Sequence, residues 1–183
     1  MRRIAFLLIA GLILGGIVHV ATILALPATA TRNAFARIAA ITVPNKVALL
    51  PQPVPGETML PYVDPAFATA VCRFDLARGP LKVRMPITAA YGSLTFYKND
   101  GTAFYAINDR AAGRRLVELD LMTAEQRSAL ELDEDETAAD RLIVQSVAPT
   151  GLIVMRALAP EPSALPIVRG ALSAAECTQQ PAN

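Results

Sequence analysis

Residues able to do chemistry are few in this 183-residue chain, and their placement excludes more than it allows. The single histidine, His19, lies inside the uncharged run IAFLLIAGLILGGIVHVATILAL, residues 4–26. Everything after that run lacks an imidazole. Ser-His-Asp and Cys-His nucleophile pairs and histidine metal ligands are thereby removed. No GxGxxG, phosphate-loop or HExxH pattern occurs. Carboxylates are what remains for acid–base work, and Asp100, Asp109, Glu118 and Asp120 stand among strand-like segments. Their spacing assigns them no role. The run ELDEDE (131–136) continues with Thr137 and Ala138, where a calcium-binding EF-hand loop needs Asp or Asn and then Gly, so it reads as a solvated acidic loop. No catalytic residue, cofactor or metal site is expected, and the chain is not expected to be an enzyme.

Two further groups of residues invite a role. Cys72 and Cys177 are the only cysteines. In an oxidising compartment they would close a loop of about 105 residues, worth roughly 4–5 kcal/mol in the chain-entropy picture; two buried free thiols are the alternative. The stretch YGSLTFYKNDGTAFYAIND (91–109) holds five of the ten aromatic residues around an Asn99-Asp100-Gly101 turn. A three-residue loop with Gly101 left-handed would pair Lys98 with Thr102 and set Phe96 opposite Phe104 and Leu94 opposite Ala106. The other face would then carry Ser93, Thr95, Tyr97, Tyr105 and Ile107. Tyr97 and Tyr105 are the candidate ligand-binding residues, as a stacking platform, unless that face lies under other parts of the chain.

The elements that must position these residues begin with the apolar run. Its 23 residues rise about 34 Å as a helix, enough to cross a hydrocarbon core of about 30 Å. A cleaved signal peptide ending at Ala28-Thr29-Ala30 competes with this reading, but signal apolar regions are about 7–15 residues. Arg2 and Arg3 ahead of the run favour a cytoplasmic N-terminus. The remainder holds 15 basic and 16 acidic residues, which argues against a nucleic-acid partner.

Residues 31–41 have helical spacing, with Asn33 or Thr31 as cap. A proline-rich stretch (43–65) reads as an extended strap packed on the core through Leu50, Met59, Leu60 and other apolar residues. DPAFATAVCRFDL (64–76) reads as a short helix with Asp64 as N-cap and Pro65 at N1. From 80 to 158 alternation predicts about six strands with short connections, an antiparallel meander. Thr123 with Gln126 forms a capping box for an inserted helix, and the tail reads as a final helix ending near Cys177. The division expected is a transmembrane anchor (1–30), a juxtamembrane helix and strap (31–63) and a β-rich domain (64–183), of α+β class.

The anchor, the DPAF…AVCRFDL segment, the GPLKVRMP strand, the SLTFYKNDGTAFYAINDR hairpin and the late cysteine together resemble small alphaproteobacterial membrane proteins of the bacterial domain-of-unknown-function family 1254, related to family 1214. The resemblance implies a β-rich extracytoplasmic domain and a membrane-anchored partner protein of the sister family. The resulting expectation is a single-pass protein of the bacterial inner membrane, held in the bilayer by residues 4–26. Its N-terminus would be cytoplasmic, and its non-catalytic periplasmic domain would bind a protein partner or serve the envelope. A periplasmic module for a carbohydrate or small apolar ligand is the second reading, and a carboxylate-dependent hydrolase the third.

Overall fold

The apolar run forms α1 (Arg2–Thr29), one continuous helix. Its large apolar side chains, from Ile4 to Leu26, are 55–80% exposed, so the helix buries no face against the protein. Thr22 donates its hydroxyl to the Val18 carbonyl at 2.8 Å, which leaves that polar group satisfied inside the helix. In length and composition α1 is able to cross a membrane, as an anchor or a signal sequence does. The structure is a computed structural model and describes residues 2–29, 33–56, 59–112, 115–129 and 142–180. The acidic run 131–136 and Thr31 lie outside the described residues.

Helix α2 (Ala34–Ala39) follows, capped by Asn33, whose side-chain oxygen accepts from the Ala36 N–H at 2.9 Å. The proline-rich stretch then supplies β1 (Val47–Leu49), and β2 (Phe67–Asp75) begins two residues after Pro65. The rest of the chain gives β3 (Leu81–Pro86), β4 (Gly92–Lys98), β5 (Ala103–Asn108), α3 (Asp109–Ala112), β6 (Leu116–Met122), α4 (Ala124–Ser128), β7 (Ile143–Gln145), β8 (Thr150–Leu158), a 3-10 turn (Pro162–Ala164), α5 (Leu165–Ser173) and β9 (Glu176–Gln179). The expected capping box starts α4: Thr123 Oγ1 accepts from Gln126 N, and Gln126 Oε1 accepts from Thr123 N.

The α+β class stands, an apolar helix followed by a β-rich region with short helices. The strands form two sheets, β1-β2-β8-β4-β5 and β7-β6-β3-β9. Their order is more interleaved than a meander, and the β6–β7 pair is parallel. One cluster of buried side chains draws on both sheets, with Phe74, Leu94, Phe96, Ile153 and Met155 from the first and Leu81, Val83, Met85 and Leu119 from the second. Val168 and Leu172 of α5 complete it. Packing is tight enough to require a glycine: a Cβ on Gly151 would come within 2.5 Å of the Phe74 ring.

The segment 64–76 is not a helix. Its inward side chains are Ala68, Ala70, Cys72, Phe74 and Leu76, a period of two, and all are buried. Asp64 instead accepts from the Ala66 N–H at 2.9 Å in a turn that leads into the strand. Helical spacing at Phe67, Ala70, Val71 and Phe74 is available only because alanine and cysteine are apolar enough for either period. β2 is fully buried on its inner face and partly on its outer one, and pairs along its whole length with β8. The tail likewise ends in a strand rather than a helix: α5 stops at Ser173, and Cys177 sits on β9. The Cys72–Cys177 disulfide is formed, with a Cα–Cα distance of 6.5 Å, and it joins one sheet to the other.

Candidate functional site

The aromatic hairpin closes as its turn residues dictate. Gly101 is left-handed (φ 86°), the Gly101 N–H donates to the Lys98 carbonyl at 3.0 Å, and Lys98 donates to Thr102 at 2.9 Å. Asp100 Oδ1 accepts from Thr102 N at 2.9 Å, and that bond, with Lys98 Nζ at 3.2 Å, holds its carboxyl below the usual range. Beyond Tyr97↔Ala103 the ladder slips: the next pair is Phe96↔Tyr105, and Phe104 is the extra residue of a β-bulge. The expected pairs Phe96–Phe104 and Leu94–Ala106 are therefore replaced by Phe96–Tyr105 and Leu94–Ile107, and Ala106 is exposed.

The bulge redistributes the aromatic rings. Phe104 and Tyr105 both reach the inter-sheet core. Phe104 lies 6.4 Å from Phe74 and 6.0 Å from Phe96 between ring centroids, and Tyr105 lies 5.8 Å from Phe96. Tyr97 points to the opposite face of the five-stranded sheet, among Ile38, Leu50, Val71 and Leu152. The two tyrosines expected to share a platform are on opposite faces of the sheet. An aromatic contact that sequence reasoning did not single out lies elsewhere: Tyr91 meets Phe67 edge-on at 6.2 Å, and the Arg156 guanidinium sits 4.2 Å from the Phe67 ring centroid.

Tyr97 does line a pocket of about 220 Å³ on that outer face. Its floor is the sheet, at Thr69, Val71, Leu152 and Val154, and its cover is Phe35 and Ile38 of α2 with Leu50 and Leu60 of the strap. Polar bonds fasten the cover at several points. Asn33 Nδ2 donates to the Asn99 carbonyl at 2.9 Å, Arg37 to Met59 at 3.2 Å, and Arg169 of α5 to Leu50 at 3.0 Å. Asn45, left-handed at φ 58°, accepts from Asp75 N at 2.8 Å. The apolar strap residues signalled the covering contact; the gap left beneath it had no sequence signal.

The carboxylates do not converge on this pocket. Glu118 lies on the outer face of the four-stranded sheet, 2.7 Å from Lys82 and 3.1 Å from Arg84, and Arg84 reaches Glu176 at 3.6 Å. Hydrogen bonds from Lys82 and Arg84 lower the Glu118 pKa, the opposite of what a general acid needs at neutral pH. Asp120, 2% exposed, accepts from Gln180 Nε2 at 2.8 Å, and Asp109 accepts from Gly92 N at 3.4 Å. Among the described residues no three His, Cys, Asp or Glu side chains gather as a metal site. His19 lies on α1.

Neither a protein-family model nor a curated protein matches this chain. Solved structures do. The VPA0106 protein from Vibrio parahaemolyticus superposes with a TM-score of 0.57 at 11% identity, over 78% of this chain and 32% of that one. An uncharacterized protein from Burkholderia cenocepacia gives 0.47 at 11% identity, over 74% and 34%. The chain thus spans about a third of the length of these two proteins. At such identity the Vibrio likeness is one of fold.

Proposed function

We propose that this is a single-pass protein of the bacterial inner membrane whose β-rich domain is a non-catalytic interaction module on the periplasmic side. The observation that carries the reading is a disulfide-stapled domain joined to an apolar helix of membrane-spanning length. A disulfide favours an oxidising compartment, and Arg2 and Arg3 favour a cytoplasmic N-terminus. The partner is a protein, in keeping with the resemblance to family 1254 and its expected sister-family partner. That the same fold occupies about a third of the longer Vibrio chain supports a module used beside further structure.

The test is affinity purification of the full chain from membranes after brief cross-linking, together with a topology reporter fused after Asn183. A second membrane protein at comparable abundance, and a reporter active only outside the cytoplasm, are the expected results. Recovery of the chain alone would remove the interaction role. A reporter active in the cytoplasm, or a mature protein beginning after residue 30, would remove the anchored topology.

A further inference from the structure

We propose that the pocket under α2 takes the hydrocarbon chain of a membrane lipid, so that the domain holds a lipid from the leaflet beside its own anchor. This rests on the anchored topology proposed above. The walls are Phe35, Ile38, Leu60, Val71, Tyr97 and Val154, with the Tyr97 ring the one amphipathic member. A site so apolar offers few polar groups to orient a sugar, and suits an unbranched chain whose transfer is driven by area removed from water. At about 220 Å³ it is smaller than the roughly 300–1,000 Å³ that receives a whole drug-sized ligand, which fits one chain rather than an entire lipid.

Connectivity brings the pocket to the bilayer. α1 ends at Thr29, and the pocket begins at Asn33, four residues on. Extended chain spans at most about 3.6 Å per residue, so Asn33 is within about 14 Å of the end of α1. Of the polar lining residues, Asn33, Lys98 and Asn99 gather at the start of α2 and at the tip of the β4–β5 hairpin, next to that tether, and Thr69 lies on the floor.

A second observation concerns the outside of the cover. Ile41, Val43, Val54 and Tyr62 are all exposed, Tyr62 fully so at 102%. Half of the large apolar side chains exposed beyond α1 in the described residues therefore belong to the short stretch 41–62. Aliphatic side chains with a tyrosine are the composition of a surface resting in the headgroup region, where the apolar part is sheltered and the hydroxyl stays wet. The cover that roofs the pocket is thus the part of the domain suited to touch lipid.

The experiment uses the full chain in nanodiscs of phosphatidylethanolamine and phosphatidylglycerol doped with a phospholipid carrying a photoreactive diazirine near the end of one acyl chain. After irradiation, labelled peptides are mapped by mass spectrometry. Labels are expected on α1 and on the segments holding Tyr97 and Val154. Filling the pocket with Val154→Phe should lower the second set about tenfold, the change that about 1.4 kcal/mol of lost binding produces. Labels on α1 should stay unchanged. Leu60→Phe fills the same space from the cover and should act alike, and it carries the comparison where Val154→Phe does not fold; the wild-type map decides by itself if neither does. Labels confined to α1, or pocket labels that persist in the folded filled variants, overturn the lipid site and leave the anchor standing. Absence of labels on α1 as well overturns both.

Discussion

The two faces of the five-stranded sheet are built from the same strands and are sealed in different ways. The inner face meets a second sheet, and its side chains Phe74, Leu94, Phe96, Ile153 and Met155 are fully buried. A disulfide crosses the same interface. The outer face carries Val71, Leu152 and Val154 at its centre beside Thr69 and Arg73, and among the described residues it meets a six-residue helix and a proline-rich strap. Sheet-on-sheet packing interdigitates two periodic surfaces. A strap has no matching period, and proline restricts how closely its backbone follows the sheet. The first face is therefore filled, whereas the second keeps a pocket. The fit of the cover decides which face of the sheet keeps a gap.

That difference should appear first in the cost of truncation. Phe96→Ala removes a ring that is 0% exposed and should cost about 3–5 kcal/mol, read as a large fall in the denaturation midpoint of the full chain in mild detergent. A loss under about 1 kcal/mol would mean that the inner face is as loose as the outer, and the comparison would collapse.

Cys72→Ser should come next, at about 2–5 kcal/mol, because the bond closes a 105-residue separation in the unfolded chain as well as joining the sheets. Thiol labelling of the unfolded, unreduced protein checks the premise, since two free thiols would place the whole cost on packing.

Much of the inner face is legible in the amino-acid pattern, and the gaps in that legibility have physical causes. β3 shows Leu81, Val83 and Met85 alternating with Lys82 and Arg84, and the burial follows that pattern without exception. β2 is hidden because its inward positions include Ala68, Ala70 and Cys72, too small and too permissive to mark a period. The hairpin loop is legible from Asn99-Asp100-Gly101, but the bulge at Phe104 needs no special residue, so the register past it is not. That single extra residue moves Tyr105 from the expected platform to the core. β9 is four residues long, too short to display alternation, and so the pattern around Cys177 reads as a helix end. The pocket depends on how far a cover stands from a sheet, which is a sum of side-chain volumes across segments distant in sequence.

The cover itself should be cheaper to damage. Leu60→Ala truncates a half-buried strap residue, and about 1 kcal/mol is expected from the apolar area it loses. A cost near that of Phe96→Ala would show that the strap is as integral as the second sheet. A small cost with a marked rise in the hydrogen exchange of α2 (Ala34–Ala39) would sharpen the contrast, because it would locate the loss in the cover alone.

The smallest effect belongs to a third face, the outside of the four-stranded sheet, against which no second sheet or strap packs among the described residues. Its central carboxylate, Glu118, is held below its usual pKa by hydrogen bonds from Lys82 and Arg84. A carboxylate with a lowered folded pKa contributes stability above its unfolded value of about 4.3, and that contribution is lost as pH falls through the folded pKa. The Glu118 side chain is 37% exposed, so solvent screens the pair, and the contribution at neutral pH should be no more than about 0.5 kcal/mol. Glu118→Gln should therefore lower the urea midpoint slightly at pH 7, and the gap should narrow as pH falls below about 4.3 and close once it is below the folded pKa, where the wild-type carboxyl is protonated in both states. Raising the salt should also narrow the gap at pH 7. A gap that widened in acid would mean that the carboxylate is destabilising in the fold, and that this face is held by something other than its ion pairs.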